Sequence, residues 1–376
     1  MGLIRFLLAM AVVAAHSAPI LGLTLVGGKI AVQSFFVISG FYISLILNEK
    51  YPAGTRGTLL FYGNRFLRIY PIYWAVLLLT AGAGTAVLLL FGWHSFVSNI
   101  SSLTKDFSAD KLLFLIASNV GILGIDLSSF MRFDLPHLAF TANWTAYKPQ
   151  PSYLYLVPQA WSLSIEILVY AIAPFLFRRS IGLLAALLIA SFVARTVAYD
   201  AGFEFDPWDY RFFPFEFGLF VTGSLLYRAY RSVQGFRIPA VGWTSLVIGV
   251  TGILLYPLLP QITYPVVGFP GTEVVFLAAF SLCIPGIFAL SKNWSIDRWL
   301  GELSYPIYLC HLFVIMACNG RFGWGALKPA IGTVLLAAVL TLLMEIPLDR
   351  LRQRRFKQLM SSAHDSAYAK PQPQPA

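Results

Sequence analysis

Long apolar runs repeat from one end of this chain to the other, separated by polar or basic segments. A helix needs ~20 mostly apolar residues to cross a hydrocarbon layer of ~30 Å. By that rule the pattern predicts spans at 4–24, 30–48, 69–91, 153–177, 181–199, 212–228, 239–258, 272–290, 303–319 and 326–347. The short alternating segments of a membrane barrel are missing. The fold class is therefore an all-α polytopic membrane protein, a bundle of about ten transmembrane helices. A further apolar piece, 112–130, is broken by Asn119, Gly121, Gly124 and Asp126.

Charge decides how that piece is read. If 112–130 does not span, 18 of the 27 Lys and Arg residues fall on one side. By the positive-inside rule that side is cytoplasmic, and both termini lie on it. If 112–130 spans, Arg178, Arg179, the 228–237 cluster and the Arg350–Lys357 cluster all move outside. Ten spans is the better reading. Residues 1–350 are then one integral-membrane domain. Within it, 93–152 is a long outer loop with re-entrant or interfacial helices. Its Trp93, Trp144 and Tyr147, with the adjoining Tyr153, offer a docking place for an outer substrate. Residues 351–376 begin as a basic cytoplasmic helix lying on the inner leaflet and end in a polar, Pro-rich tail expected to be disordered.

Composition agrees: 58% of residues are hydrophobic and 12% charged, against about a quarter charged in soluble domains. The net charge of +10 does not indicate nucleic-acid binding, because the basic residues lie mainly between apolar runs. Cys283, Cys310 and Cys318 show neither metal spacing nor a disulfide framework, and read as small core residues. Neither a metal site nor an internal repeat is expected.

Five clusters interrupt the apolar background. Arg5 and His16 are eleven residues apart, about three helical turns, so they share a helix face roughly 16 Å apart. A charged residue in a spanning helix costs ~2.5–3.5 kcal/mol on insertion scales and so asks for a reason. Arg5 as a topology signal and His16 as a packed core residue are the plainer readings. A cleaved leader ending near His16 is disfavoured, since the apolar run continues through Ile20–Val26. The second cluster, Gln33 to Phe41, carries Ser39 and Gly40, which suit close helix packing. The third, Arg65 and Arg68, shares a face at the inner mouth of the third span. It serves either as a phosphate clamp or as plain positive-inside charge. The fourth, Trp161 to Glu166, puts Ser162, Glu166 and Tyr170 in line within the fourth span. The fifth, Gly301 to His311, gives a polar stripe of Ser304, Tyr308 and His311; His311 reads equally well as a core histidine. Arg211 and Glu216 also sit near the outer end of the sixth span, where Glu216 has an Arg to neutralise.

Together these residues suit acyl transfer from an inner, phosphate-bearing donor. The arginines hold phosphates, and a histidine three turns deeper meets the far end of an extended molecule such as coenzyme A. His16 then acts as general base or acyl carrier, with Glu166 orienting it as the acid does in a hydrolase triad.

The chain resembles the membrane-bound acyltransferase-3 family. Arg5 to His16 is similar to its Arg-x10-His, Phe35–Phe41 to FFxxSGF, Arg65 to Arg68 to Arg-x-x-Arg, Trp161–Glu166 to WSLxxE, and Ser304–His311 to SYxxYLxH. The resemblance implies acetyl-CoA, or another acyl-CoA, supplied from the cytoplasm as donor substrate, with no permanently bound cofactor. It implies an envelope carbohydrate acceptor, His16 as the essential histidine, and Arg5, Arg65 and Arg68 around the donor. Tyr305 enters as a supporting residue with Ser39, Trp161, Ser162, Tyr308 and His311. Many members have an acid just before FFxxSGF, where this chain has Gln33-Ser34. The expected function is O-acetylation of a surface or exported carbohydrate, free or lipid-linked, in a bacterial inner membrane, with a separate periplasmic or biosynthetic partner. A flippase for a lipid-linked saccharide and a non-catalytic envelope-assembly subunit are the alternatives. No nucleic-acid partner is expected.

Overall fold

The computed structural model describes residues 1–92, 96–134, 137–318 and 327–355. Trp93 and the tail beyond 355 lie outside them. The long helices are α1 (Gly2–His16), α2 (Gly28–Glu49), α3 (Thr55–Phe91), α6 (Trp161–Leu176), α7 (Ile181–Asp200), α8 (Phe213–Ser232), α9 (Pro239–Leu255), α10 (Gly271–Ser291), α11 (Ser295–Cys318) and α12 (Leu327–Leu340). Eight of these are long and apolar enough to cross a membrane. The other two are α1, with 15 residues, and α8, which carries Glu216, Arg228 and Arg231.

Several boundaries differ from the sequence reading. The first helix does not run to residue 24. It stops at His16, just before Ser17-Ala18-Pro19, because proline disfavours helix in the residue ahead of it. Residues 17–27 then turn through left-handed backbone at Leu21, Gly22, Leu25 and Gly27. The third helix begins at Thr55, so Arg65 and Arg68 sit inside a continuous helix. Glu166 lies in the second turn of α6 rather than mid-span. Residues 112–130 split into α5 (Ala109–Gly121), preceded by α4 (Phe96–Thr104), and a 3-10 turn at Asp126–Phe130. At 13 residues α5 is shorter than a span requires. Its end is tied to α3, where Tyr70 donates to Gly121 O at 2.8 Å and Trp74 to Val120 O at 2.9 Å. A two-stranded hairpin, β1 (Met131–Asp134) with β2 (His137–Phe140), follows. Of the described residues past 350, Leu351, Gln353, Arg354 and Arg355 are exposed. The last helix continues to Arg355, and Arg352 is buried.

Close helix packing holds the bundle. α2 crosses α8 with backbones nearly in contact: a Cβ on Gly40 would lie 2.0 Å from Phe220 O, and one on Gly223 would lie 2.0 Å from Val37 O. Small residues permit this approach, as expected for Gly40. At the start of α1 the Asp297 carboxylate of α11 accepts from Gly2 N at 2.7 Å and Leu3 N at 2.8 Å. An anion there satisfies orphan amides and complements the helix dipole. Arg195 of α7 is 2% exposed and pairs with the fully buried Glu216 of α8 at 2.8 Å. Gln33 donates to the same Glu216 oxygen at 3.3 Å, so α8 supplies a carboxylate beside the amide of α2. Glu216 thus neutralises Arg195, not Arg211.

Gly40→Ala and Gly223→Ala are expected to lower stability by about 1–3 kcal/mol each through overpacking. Gly63→Ala, on α3 with open space around it, is expected to be neutral or mildly stabilising. Thermal midpoints in detergent check both; an unchanged midpoint for Gly40→Ala would contradict the tight crossing.

Candidate active site

Two contacts fix the frame of the site. A Cβ on Gly301 of α11 would lie 3.2 Å from Gly2 Cα, and at the other end of α1 the His16 ring lies 5.0 Å from His311 of α11. So α1 and α11 run side by side in the same direction. Between them and α2, α3 and α6 lies a cavity of about 420 Å³, of the size usual for small-molecule sites.

One end of the cavity is cationic. Arg5, Arg65 and Arg68 line it, with Lys292 and Arg298. The Arg5 side chain forms no hydrogen bond or ion pair with the other described residues. Arg65 lies over the Tyr170 ring at 5.6 Å, and its buried Nε has no partner. Among the described residues Arg68 has only a long contact to Glu345, at 3.7 Å. Glu345 ends a five-residue π-helical stretch, Thr341–Glu345, and meets Arg352 at 3.7 Å as well. Such stretches often mark functional sites because they re-aim a side chain. Glu345 and Arg352 were not singled out from sequence. The available signal was an acid inside the last apolar run.

The other end of the cavity is uncharged. Ser162 and Tyr308 line it, with hydroxyls 2.6 Å apart. Tyr308 donates to Gln159 O at 2.8 Å, so Ser162 is the donor to Tyr308. Tyr305, on the cavity wall, donates to Ile69 O at 2.7 Å and fixes α11 to α3. His311 follows Tyr308 on α11, with ring centroids 5.9 Å apart, and His16 lies beyond it, exposed. Neither histidine lines the cavity.

The expected Glu166–His16 pair does not form. Glu166 Oε1 accepts from Ser39 at 2.9 Å and from Tyr170 at 2.5 Å, on the cavity wall. His16 instead has Val12 O at 3.0 Å from its Nδ1. The reason is geometric. Glu166 is one turn past Ser162 toward the cationic end, whereas His16 closes the opposite end of α1. Ser304 turns back onto Gly301 O at 2.7 Å.

Trp161 starts α6 and is buried under Arg211, whose guanidinium lies 4.4 Å from its ring. Tyr210 and Trp144 flank the same guanidinium at 4.6 and 5.5 Å. Arg211 pairs with Asp206 at 2.7 Å. Burial raises the Asp206 carboxyl above its ordinary range, and Arg211 offsets part of that. Arg211 lies within charge range of both His16 and Tyr308. Trp144 is buried among these groups, whereas Tyr147 and Tyr153 are exposed.

A family model for an acyltransferase domain, that of the acyltransferase-3 family, matches residues 1–348. No curated protein and no solved structure matches the chain.

The hydroxyl pair at the neutral end is expected to act as one unit. A double-mutant cycle of Ser162→Ala and Tyr308→Phe should give a stability coupling of about 0.5–1.5 kcal/mol. Strict additivity would separate the two residues.

Proposed function

The chain belongs to the membrane-bound acyltransferase-3 family, and we propose that it moves an acetyl or other short acyl group from acyl-CoA to a hydroxyl of an envelope or exported carbohydrate. One observation carries this reading. A single cavity has three arginines at one end, of which Arg68 alone has an ion pair among the described residues, and a hydroxyl pair leading to two histidines at the other. Coenzyme A has the same division, with phosphates at one end of a long arm and the thioester at the other. Arg5, Arg65 and Arg68 bind the phosphates; forked guanidiniums suit them, and charge-assisted bonds are the strong ones. Ser162 and Tyr308 stand at the acyl end of the donor. The exposed His16 meets the acceptor hydroxyl and takes its proton as the oxygen attacks. Glu166 holds Ser39 and Tyr170 and balances the cationic wall.

In this proposal the cavity opens to the cytoplasm, the His16 end faces the periplasm, and ten helices cross a bacterial inner membrane with both termini inside. The acceptor approaches past residues 93–152. It is lipid-linked and handed on by a biosynthetic partner.

Membranes carrying the chain and given acetyl-labelled acetyl-CoA are expected to label the envelope glycan fraction. His16→Ala, matched for folded protein, should lose at least about 10²-fold of that rate, the usual size of a general-base effect. Equal labelling by this variant would remove His16 from the chemistry. Arg65→Ala and Arg68→Ala should each weaken acetyl-CoA affinity by about tenfold or more, and unchanged affinity in both would end the phosphate-clamp role. Glu166→Gln should lower turnover more than donor affinity.

A further inference from the structure

His311 is fully buried, and the proposed chemistry leaves it without a task. Its Nδ1 lies 2.7 Å from Tyr308 O. A carbonyl only accepts, so Nδ1 carries the proton and Nε2 the lone pair. That Nε2 is buried and has no hydrogen-bond partner. An empty acceptor in an apolar interior is costly, so it calls for a function. His16 is built the same way: Nδ1 bonds Val12 O at 3.0 Å, which leaves its own Nε2 as a base. The rings are 5.0 Å apart and tilted by 47°.

Neither imidazole bonds a carboxylate among the described residues. The groups bearing on the pair are Tyr308 from the same helix and Arg211, a cation, from the segment ahead of α8. Cys310, beside His311 in sequence, turns to Thr333 O of α12. In hydrolase triads a carboxylate at Nδ1 stabilises the imidazolium; here the neutral Val12 carbonyl takes that place and a second imidazole stands next to the first.

We propose that His16 and His311 form a proton-sharing pair, with His311 the positioning residue that takes up the proton His16 removes from the acceptor. This rests on the acyltransferase reading. As the acceptor oxygen bonds to the acyl carbon, its proton passes to His16 Nε2 and the carbon–sulfur bond breaks. The electron pair leaves on sulfur. The proton held by the pair is the one sulfur takes up as the thiol departs, so atoms and charge balance. The position of the pair suits this task. His16 is exposed at one side, and His311 adjoins Tyr308, which lines the cavity at the other.

The test uses His311→Asn, which keeps a donor toward Tyr308 O but no Nε2, and His311→Gln, which keeps a polar group near Nε2 without proton affinity. Both are compared with wild type and His16→Ala in membranes matched for folded protein. Label transfer from acetyl-CoA into the glycan fraction is followed from about pH 6 to 9, alongside acetyl-CoA affinity. Both His311 variants are expected to lose about 10²-fold in rate, to keep donor affinity, and to recover as pH rises and hydroxide replaces the missing base. A His311→Gln rate within about threefold of wild type, or a loss with the wild-type pH profile, would make His311 a packing residue and overturn the proposal. Wild-type membranes that transfer no acyl group would overturn the acyltransferase reading itself, whereas wild-type transfer with intact His311 variants would overturn only the pair.

Discussion

A cation inside an apolar bundle must find a counter-charge, and the places where it does not define this protein. Arg195 meets the requirement fully: Glu216 faces it at 2.8 Å, and Gln33 supports the same carboxylate. Breaking such a buried pair by removing one partner typically costs about 3–5 kcal/mol. Lys29 is likewise held between Asp209 at 2.9 Å and Glu273 at 3.0 Å. Among the described residues Arg5 and Arg65 have no such partner, and Arg68 shares a distant one with Arg352. The satisfied cations staple α2, α7, α8 and α10 together. The unsatisfied ones line the cavity, where an anionic ligand would complete them.

The rest of the site follows from how α1 is held. Asp297 caps its start and Pro19 ends it just past His16. Running parallel to α11, it sets Arg5 at the charged end of the cavity and His16 next to His311. A side chain at residue 2 would collide with Asp297 O, at 1.4 Å, so Gly2 is needed for this seat. The helix is short because it has only to reach from one end of the cavity to the other.

Local patterns were legible in the sequence. The apolar runs located the long helices, Arg65 and Arg68 fell on one face, and Ser162 and Glu166 fell in line along α6. Pairings across the chain were not. Nothing near Glu166 tells that its carboxylate faces Ser39 of α2 rather than His16, and nothing near Arg195 points to Glu216. The His16–His311 contact joins residues 295 positions apart, 311 less 16. The end of α1 was readable in Pro19, but the apolar residues after it outweighed that signal. The π-helical turn that aims Glu345 at Arg68 leaves no local signature beyond one acid in an apolar run.

The central claim is that one cavity holds the donor with its phosphates at the arginines and its acyl end at the hydroxyl pair. A cryo-EM structure of the full chain with a non-transferable thioether analogue of acetyl-CoA tests it most directly. The account predicts the phosphates against Arg65 and Arg68 and the acyl group beside Ser162 and Tyr308. An analogue bound in the reverse sense, or outside this cavity, would contradict it.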